Sequence, residues 1–173
     1  MANVYLRIDK LNEVKGSATL EDIGGKKGWM PVDSMSFGLS RDINIEVGAA
    51  TSGEMGSFSF SNIEVSRDCD GASAYLQTLF FAPGADGKTI ELIVTKSDRE
   101  GKGMVPSLII TLTGARLSHY SLSATQKPAE NFSIAYVTVS IKHYLEEADG
   151  TIKQGDTVGF DLAKATLTSK ANL

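Results

Sequence analysis

Successive side chains of an extended chain point to opposite faces, so apolar residues that recur at every second position can be buried only by β-strands with one face covered. That period dominates this sequence, with apolar alternation over residues 3–9, 29–40, 56–66, 88–97, 105–113, 115–124, 131–145 and 157–162. In "IELIVT" the residues Ile90, Leu92 and Val94 share a face, and in "SLIITLT" Leu108, Ile110 and Leu112 do the same. The charged, glycine-bearing "SDREGKGM" between them reads as a hairpin connection. Within "NFSIAYVTVSIKHY" the apolar phase passes from Phe132, Ile134 and Tyr136 to Val137, Val139 and Ile141. A phase change inside one strand predicts a bulge or bend, of the kind that closing a barrel requires.

One segment breaks the pattern. In "DCDGASAYLQTLFFAPG" the residues Ala72, Leu76, Leu79 and Phe80 recur at helical spacing, Asp68 or Asp70 can cap the start, and Pro83-Gly84 ends the run. The spacing predicts one helix over about 71–82, packed by its single apolar stripe against the outside or one end of the sheets. The expected fold is therefore mainly β, a compact β-barrel of two packed antiparallel sheets with one flanking helix, forming a single domain over residues 1–173. The connection "RDINIEVGAATSGEMG", residues 41–56, exceeds the usual hairpin length, and its Ile43, Ile45 and Val47 alternate. It is expected to project beyond the barrel and to meet a partner.

A net charge of −4, with no basic run beyond Lys26-Lys27, argues against a surface for nucleic acid or anionic membrane, both of which need clustered Lys and Arg. Cys69 is the only cysteine, so no internal disulfide is possible and folding in a reducing cytosol is expected. The opening "MANVYLRIDK" lacks a signal-peptide pattern, and no stretch approaches the ~18 apolar residues of a membrane span. Export, if it occurs, is expected without a signal peptide.

Catalytic chemistry has little to stand on. His119 and His143 both fall inside predicted strands. Ser118 adjoins His119, but neighbouring strand residues face opposite ways and no G-x-S-x-G elbow is present. Two histidines and one cysteine do not make a zinc site. "APGADGKT", residues 82–89, approaches a phosphate-binding loop, yet it starts with Ala82, follows a helix and precedes a strand, the reverse of the required order. "DCDG" lacks the rest of a calcium loop. No catalytic residue, metal or cofactor is expected.

Two strands carry an unusual polar face. In "SMSFGLS", Met35, Phe37 and Leu39 oppose Ser34, Ser36, Gly38 and Ser40; in "GSFSFSN", Phe58 and Phe60 oppose Ser57, Ser59 and Ser61. Such a face is either a merely polar exterior or, in an oligomer, a small-residue surface that lines a wide hydrophilic lumen. The phenylalanines, Phe132 among them, are expected to fill the interior, against the alternative of a hollow barrel that carries a small apolar ligand.

The opening "VYLRIDKLNEVKGSATLEDIGGKKGWMPVDSMSFGLS" resembles that of the haemolysin-coregulated proteins (Hcp) of the bacterial type VI secretion system. The likeness continues through "FSFSNIEVSRDCDGASAYLQTLFFAPG", "KTIELIVTKS", "PSLIITLTGARLSHYSLSA", "ENFSIAYVTVSIKHYLEEADGTI" and "VGFDLAKAT". It rests on order and spacing, and the loop at 41–56 and the tail after Leu162 are this chain's own. The resemblance implies a homo-hexameric ring that stacks into a tube within a contractile sheath, bears a spike protein, carries effector cargo in its lumen and is expelled from the cytoplasm. By carry-over, Ser34 and Ser36 would border lumen and cargo. The 41–56 loop, with Arg41, Ile43, Ile45, Val47, Glu54 and Met55, would reach a neighbouring ring.

Overall fold

In the computed structural model, residues 3–14, 22–43, 48, 55–101 and 103–173 are described. The longest strand, β8 (Met104–Ser123), organises them. Its first half pairs with β7 (Lys88–Ser97) and β10 (Thr138–Glu146), and its second half, from Arg116, pairs with β9 (Ala129–Ala135). Gly114 stands at the changeover with φ +61°, and a Cβ there would meet Val137 Cγ2 at 2.6 Å. Only glycine fits both the left-handed backbone and that approach. The two alternating runs on either side of it are thus one strand that serves two branches of sheet.

The first branch runs outward from β8 through β7 and β1 (Asn3–Ile8) to β2 (Met30–Val32), and the other way through β10 and β11 (Ile152–Asp161) to β12 (Thr166–Ser169). The second runs from β9 to β6 (Ile63–Asp68) and β3 (Ser34–Ser36). β2 and β3 follow one another with a bend at Asp33, whose N–H donates to the Ser66 carbonyl at 2.9 Å. A separate two-stranded sheet joins β4 (Leu39–Ile43) to β5 (Met55–Phe60). Two antiparallel sheets and one helix are present among the described residues, as the alternation implies, but neither sheet closes into a barrel: the ten-stranded one ends at β2 and β12. The phase change at Tyr136–Val137 is the break between β9 and β10, which belong to different branches, and not a bulge within one strand.

Between the branches lies a filled core in which Leu6, Ile63, Leu92, Leu112, Phe132 and Ile134 are all almost fully buried. A hollow interior for a ligand is not what these side chains leave. The helix α1 (Ser73–Phe81) lies within the expected span and packs Leu76 and Leu79 against this core. The N-cap is Ala72, with no side-chain cap hydrogen bond, so neither Asp68 nor Asp70 caps the helix as expected; Asp70 Oδ1 instead accepts from the Ala72 N–H at 2.8 Å. On the far side of β7, residues 22–29 cover a smaller cluster of Tyr5, Ile23, Trp29 and Ile93. Arg7, itself buried, holds that cover by donating to the Lys27 carbonyl at 3.1 Å and pairing with Glu91, which also pairs with Lys26.

Phe58, one of the phenylalanines expected in the interior, and Leu39, in phase with Phe37, sit elsewhere. Leu39 and Phe58 are 61% and 51% exposed. They belong to the β4–β5 hairpin, which meets the core only through Phe60, packed with Phe160 against its margin; Phe58 and Phe60 lie on Phe160 with ring centroids 5.5 and 4.9 Å away. Alternation identified a face of the strand, but a face can be apolar without being interior.

Candidate functional site

Ser34 and Ser36 lie on β3 and both are exposed. Residues directly opposite in antiparallel strands share a face of the sheet, so the register extends this surface across the second branch. One row reads Ser36, Glu64, Ser133, His119, and the next Ser34, Ser66, Asn131, Ser121. The row between them, Met35, Val65, Phe132 and Tyr120, points to the core. Strands β3 and β6, far in sequence from β8 and β9, therefore join with them in one mainly polar outer face, in which Glu64 and His119 are the larger side chains and Ser133 is itself only 6% exposed. Ser133 Oγ donates to Glu64 at 2.6 Å, and Asn62 Nδ2 donates to Ser118 Oγ at 3.0 Å. A depression of 450 Å³ at one edge is lined by Ser36, Phe37, Gly38, Ser61, Asn62 and Glu64.

Beneath this face, the inward phase of the same strands ends in charge. Arg67, 1% exposed, pairs with Glu130 at 2.7 Å and with Asp70 at 2.7 Å, and its Nε donates to the Pro31 carbonyl at 3.0 Å. Glu130 also accepts from Ser73 Oγ at 2.9 Å and from the Tyr120 hydroxyl, which in turn accepts from Gln77 Nε2 at 3.1 Å. The helix is thereby tied to β6, β8 and β9. Sequence reasoning missed this cluster, although a signal existed: Arg67 is in phase with Ile63 and Val65, and Glu130 with Phe132 and Ile134. Opposite charges in the apolar phase of two strands mark a buried pair.

Burial, and then the hydrogen bond to Glu130, push the Tyr120 phenol up to about 12, while burial alone raises Tyr136 to about 12. Burial and the Glu130 charge also raise the Cys69 thiol. For a phenol raised on folding, the stabilisation is fully present below its ordinary value of 10.0 and is lost as pH rises through about 12. The expected result is that Tyr120→Phe loses less of its thermal midpoint than the parent across that alkaline window. Equal losses in both would show that Tyr120 does not titrate as described.

The remaining predicted positions are dispersed. Arg41 and Ile43 lie on β4 and Met55 opens β5 opposite Ile43, whereas Ile45, Val47 and Glu54 lie outside the described residues. The Arg41 guanidinium sits 4.5 Å over the Phe58 ring, and Ile43 is 63% exposed. His119 belongs to the polar face, and His143 is exposed on β10 in the other branch. Among the described residues no group of three or more His, Cys, Asp or Glu could hold a metal ion, and no helix is long and apolar enough to cross a membrane.

Two sheet branches round one core, a mainly polar outer face and an apolar hairpin packed on β11 define a β protein whose prominent features are surfaces. The family model described as "Type VI secretion system effector, Hcp" matches residues 5–143, and the chain belongs to the Hcp family. Solved structures share the fold. One described as a type six secretion system protein is 20% identical and superposes with a TM-score of 0.79 over 97% of this chain and 100% of its own. Hcp1 from Salmonella typhimurium is 17% identical, with a TM-score of 0.67 over 96% of this chain and 98% of its own. The secreted protein Hcp3 from Pseudomonas aeruginosa is 15% identical, with a TM-score of 0.53 over 90% and 98%. A comparison with curated proteins returns no match.

Proposed function

We propose that this chain is a structural subunit of a type VI secretion tube: copies form a hexameric ring, rings stack, and the face carrying Ser34 and Ser36 lines the lumen and contacts effector cargo. The segment 41–56 meets the neighbouring ring, and the tube leaves the cytoplasm inside a contractile sheath behind a spike protein, without a signal peptide. The observation that carries this reading is the polar face across four strands, mostly Ser and Asn with Glu64 and His119 among them, from Ser34 and Ser36 to Ser121 and His119. A face of that kind in six copies lines a wide wet channel without blocking it. The one carboxylate in these two rows, Glu64, is solvated and braced by Ser133.

Native mass spectrometry tests the assembly, with a species of six times the 18.5 kDa chain expected. Ser36→Gln then places six longer side chains around the bore. Ring mass and melting are expected to stay as in the parent, because Ser36 is exposed, while co-purified effector falls. A parent that stays monomeric at tens of micromolar, or a Ser36→Gln ring that retains its effector in full, argues against the tube and the lumen respectively.

A further inference from the structure

Two apolar features on opposite kinds of structure match each other. One is a groove of 350 Å³ between the β4–β5 hairpin and strands β11 and β12, whose walls include Leu39, Phe58, Phe160 and Leu167. The other is a knob at the end of α1, where Phe80 and Phe81 stack edge to face with centroids 5.4 Å apart and Phe81 is 83% exposed. An aromatic ring so exposed costs free energy in water and is a natural anchor for a pocket. The charges beside the two features are opposite. Arg41, on the hairpin, has a buried Nε with no hydrogen-bond partner among the described residues. Asp86, exposed in the turn after the helix, makes no ion pair among the described residues. That turn is held in place by Arg116, which donates to the Ala85 carbonyl at 2.5 Å.

We infer that Phe81 of one copy seats in the β4–β5/β11–β12 groove of a second copy, with Asp86 facing Arg41. The inference rests on the ring reading and names the surfaces that would make the ring; it gives Arg41, the first residue of the 41–56 segment, to the contact within a ring and leaves the rest of that segment to the neighbouring ring. Knob and groove are different patches, so the contact is heterologous: every copy offers its knob to one neighbour and its groove to the other. Such a contact gives a closed cycle where its rotation divides a full turn and an open filament where it does not, whereas a two-fold dimer needs one self-complementary patch. An aromatic anchor in an apolar pocket, rimmed by a charge pair, also matches how binding energy concentrates at interfaces.

The test uses the full chain with Cys69→Ser as background, carrying Phe81→Cys and Leu167→Cys. Oxidation is expected to give a covalent ladder up to the ring, while Phe81→Cys with Leu145→Cys, distant from the groove, gives none. In parallel, Arg41→Glu and Asp86→Arg are each expected to raise the concentration at the ring–monomer midpoint roughly tenfold or more, and the double reversal to restore it. Sedimentation velocity reads the midpoint, and unchanged melting of dilute monomer shows that the variants fold. If the parent forms rings but neither the ladder nor the charge rescue appears, this contact is wrong and the ring stands. If the parent forms no ring at all, or only a two-fold dimer, the ring reading fails and this contact with it.

Discussion

Replacing Arg67 with alanine is expected to destabilise the fold by about 3–5 kcal/mol, the usual cost of removing one partner of a buried ion pair. The guanidinium is 1% exposed and answers Glu130, which is fully buried, as well as Asp70 and the Pro31 carbonyl. Without it, the Glu130 carboxylate, 0% exposed, keeps the Ser73 and Tyr120 hydroxyls as its donors among the described residues. Two hydroxyls do not balance a desolvated charge. Because a domain is stable by only about 5–15 kcal/mol, the loss would dominate its unfolding curve. Urea unfolding at fixed protein concentration, which keeps any assembly contribution constant, measures it. Arg67→Met with Glu130→Met is expected to recover part of the loss, since it removes both charges. A cost below about 1 kcal/mol for Arg67→Ala would mean that the pair behaves like a solvated surface bridge.

Phe132→Ala is expected to cost a similar amount, about 3–5 kcal/mol, through lost burial and the cavity left behind. Phe132 is 1% exposed in the middle of β9, paired to Val65 on one side and Tyr120 on the other. Backbone ladders on both sides restrict how far the site can collapse. Phe58→Ala is the control: its ring is 51% exposed on the hairpin, so dilute monomer is expected to lose less than about 1 kcal/mol. Denaturant midpoints of the two variants make the comparison. Equal costs would place Phe58 in the core and contradict its position against Phe160.

That contrast shows how far alternation reaches. Phe37, Phe58, Phe60 and Phe132 all look alike in the sequence, each an aromatic residue flanked by small polar ones. Period two separates the faces of a strand but carries no information on which strands lie over the centre. β5, with Phe58 and Phe60 between serines, alternates as cleanly as β6, yet it pairs only with β4. Gly114 gives a second case. It was visible as the gap between two alternating runs, but the reason for it, the approach of Val137 from the next strand, comes from a chain segment more than twenty residues away.

From the sequence alone, the β class, the helix near 71–82, the small polar face of Ser34 and Ser36 and the order of segments shared with Hcp proteins were all determined, because each depends on local periodicity, capping or linear order. Tertiary structure decided the rest. Only pairing register could extend two serines into a face that runs through Glu64, Ser133, Asn131 and Ser121. Only packing could bring Arg67 to Glu130 across 63 residues of chain, leave the sheets open at β2 and β12, and turn Leu39 and Phe58 outward onto a groove. Each of these depends on contacts between strands that are distant in sequence, and a period along one strand cannot encode which strand lies beside it.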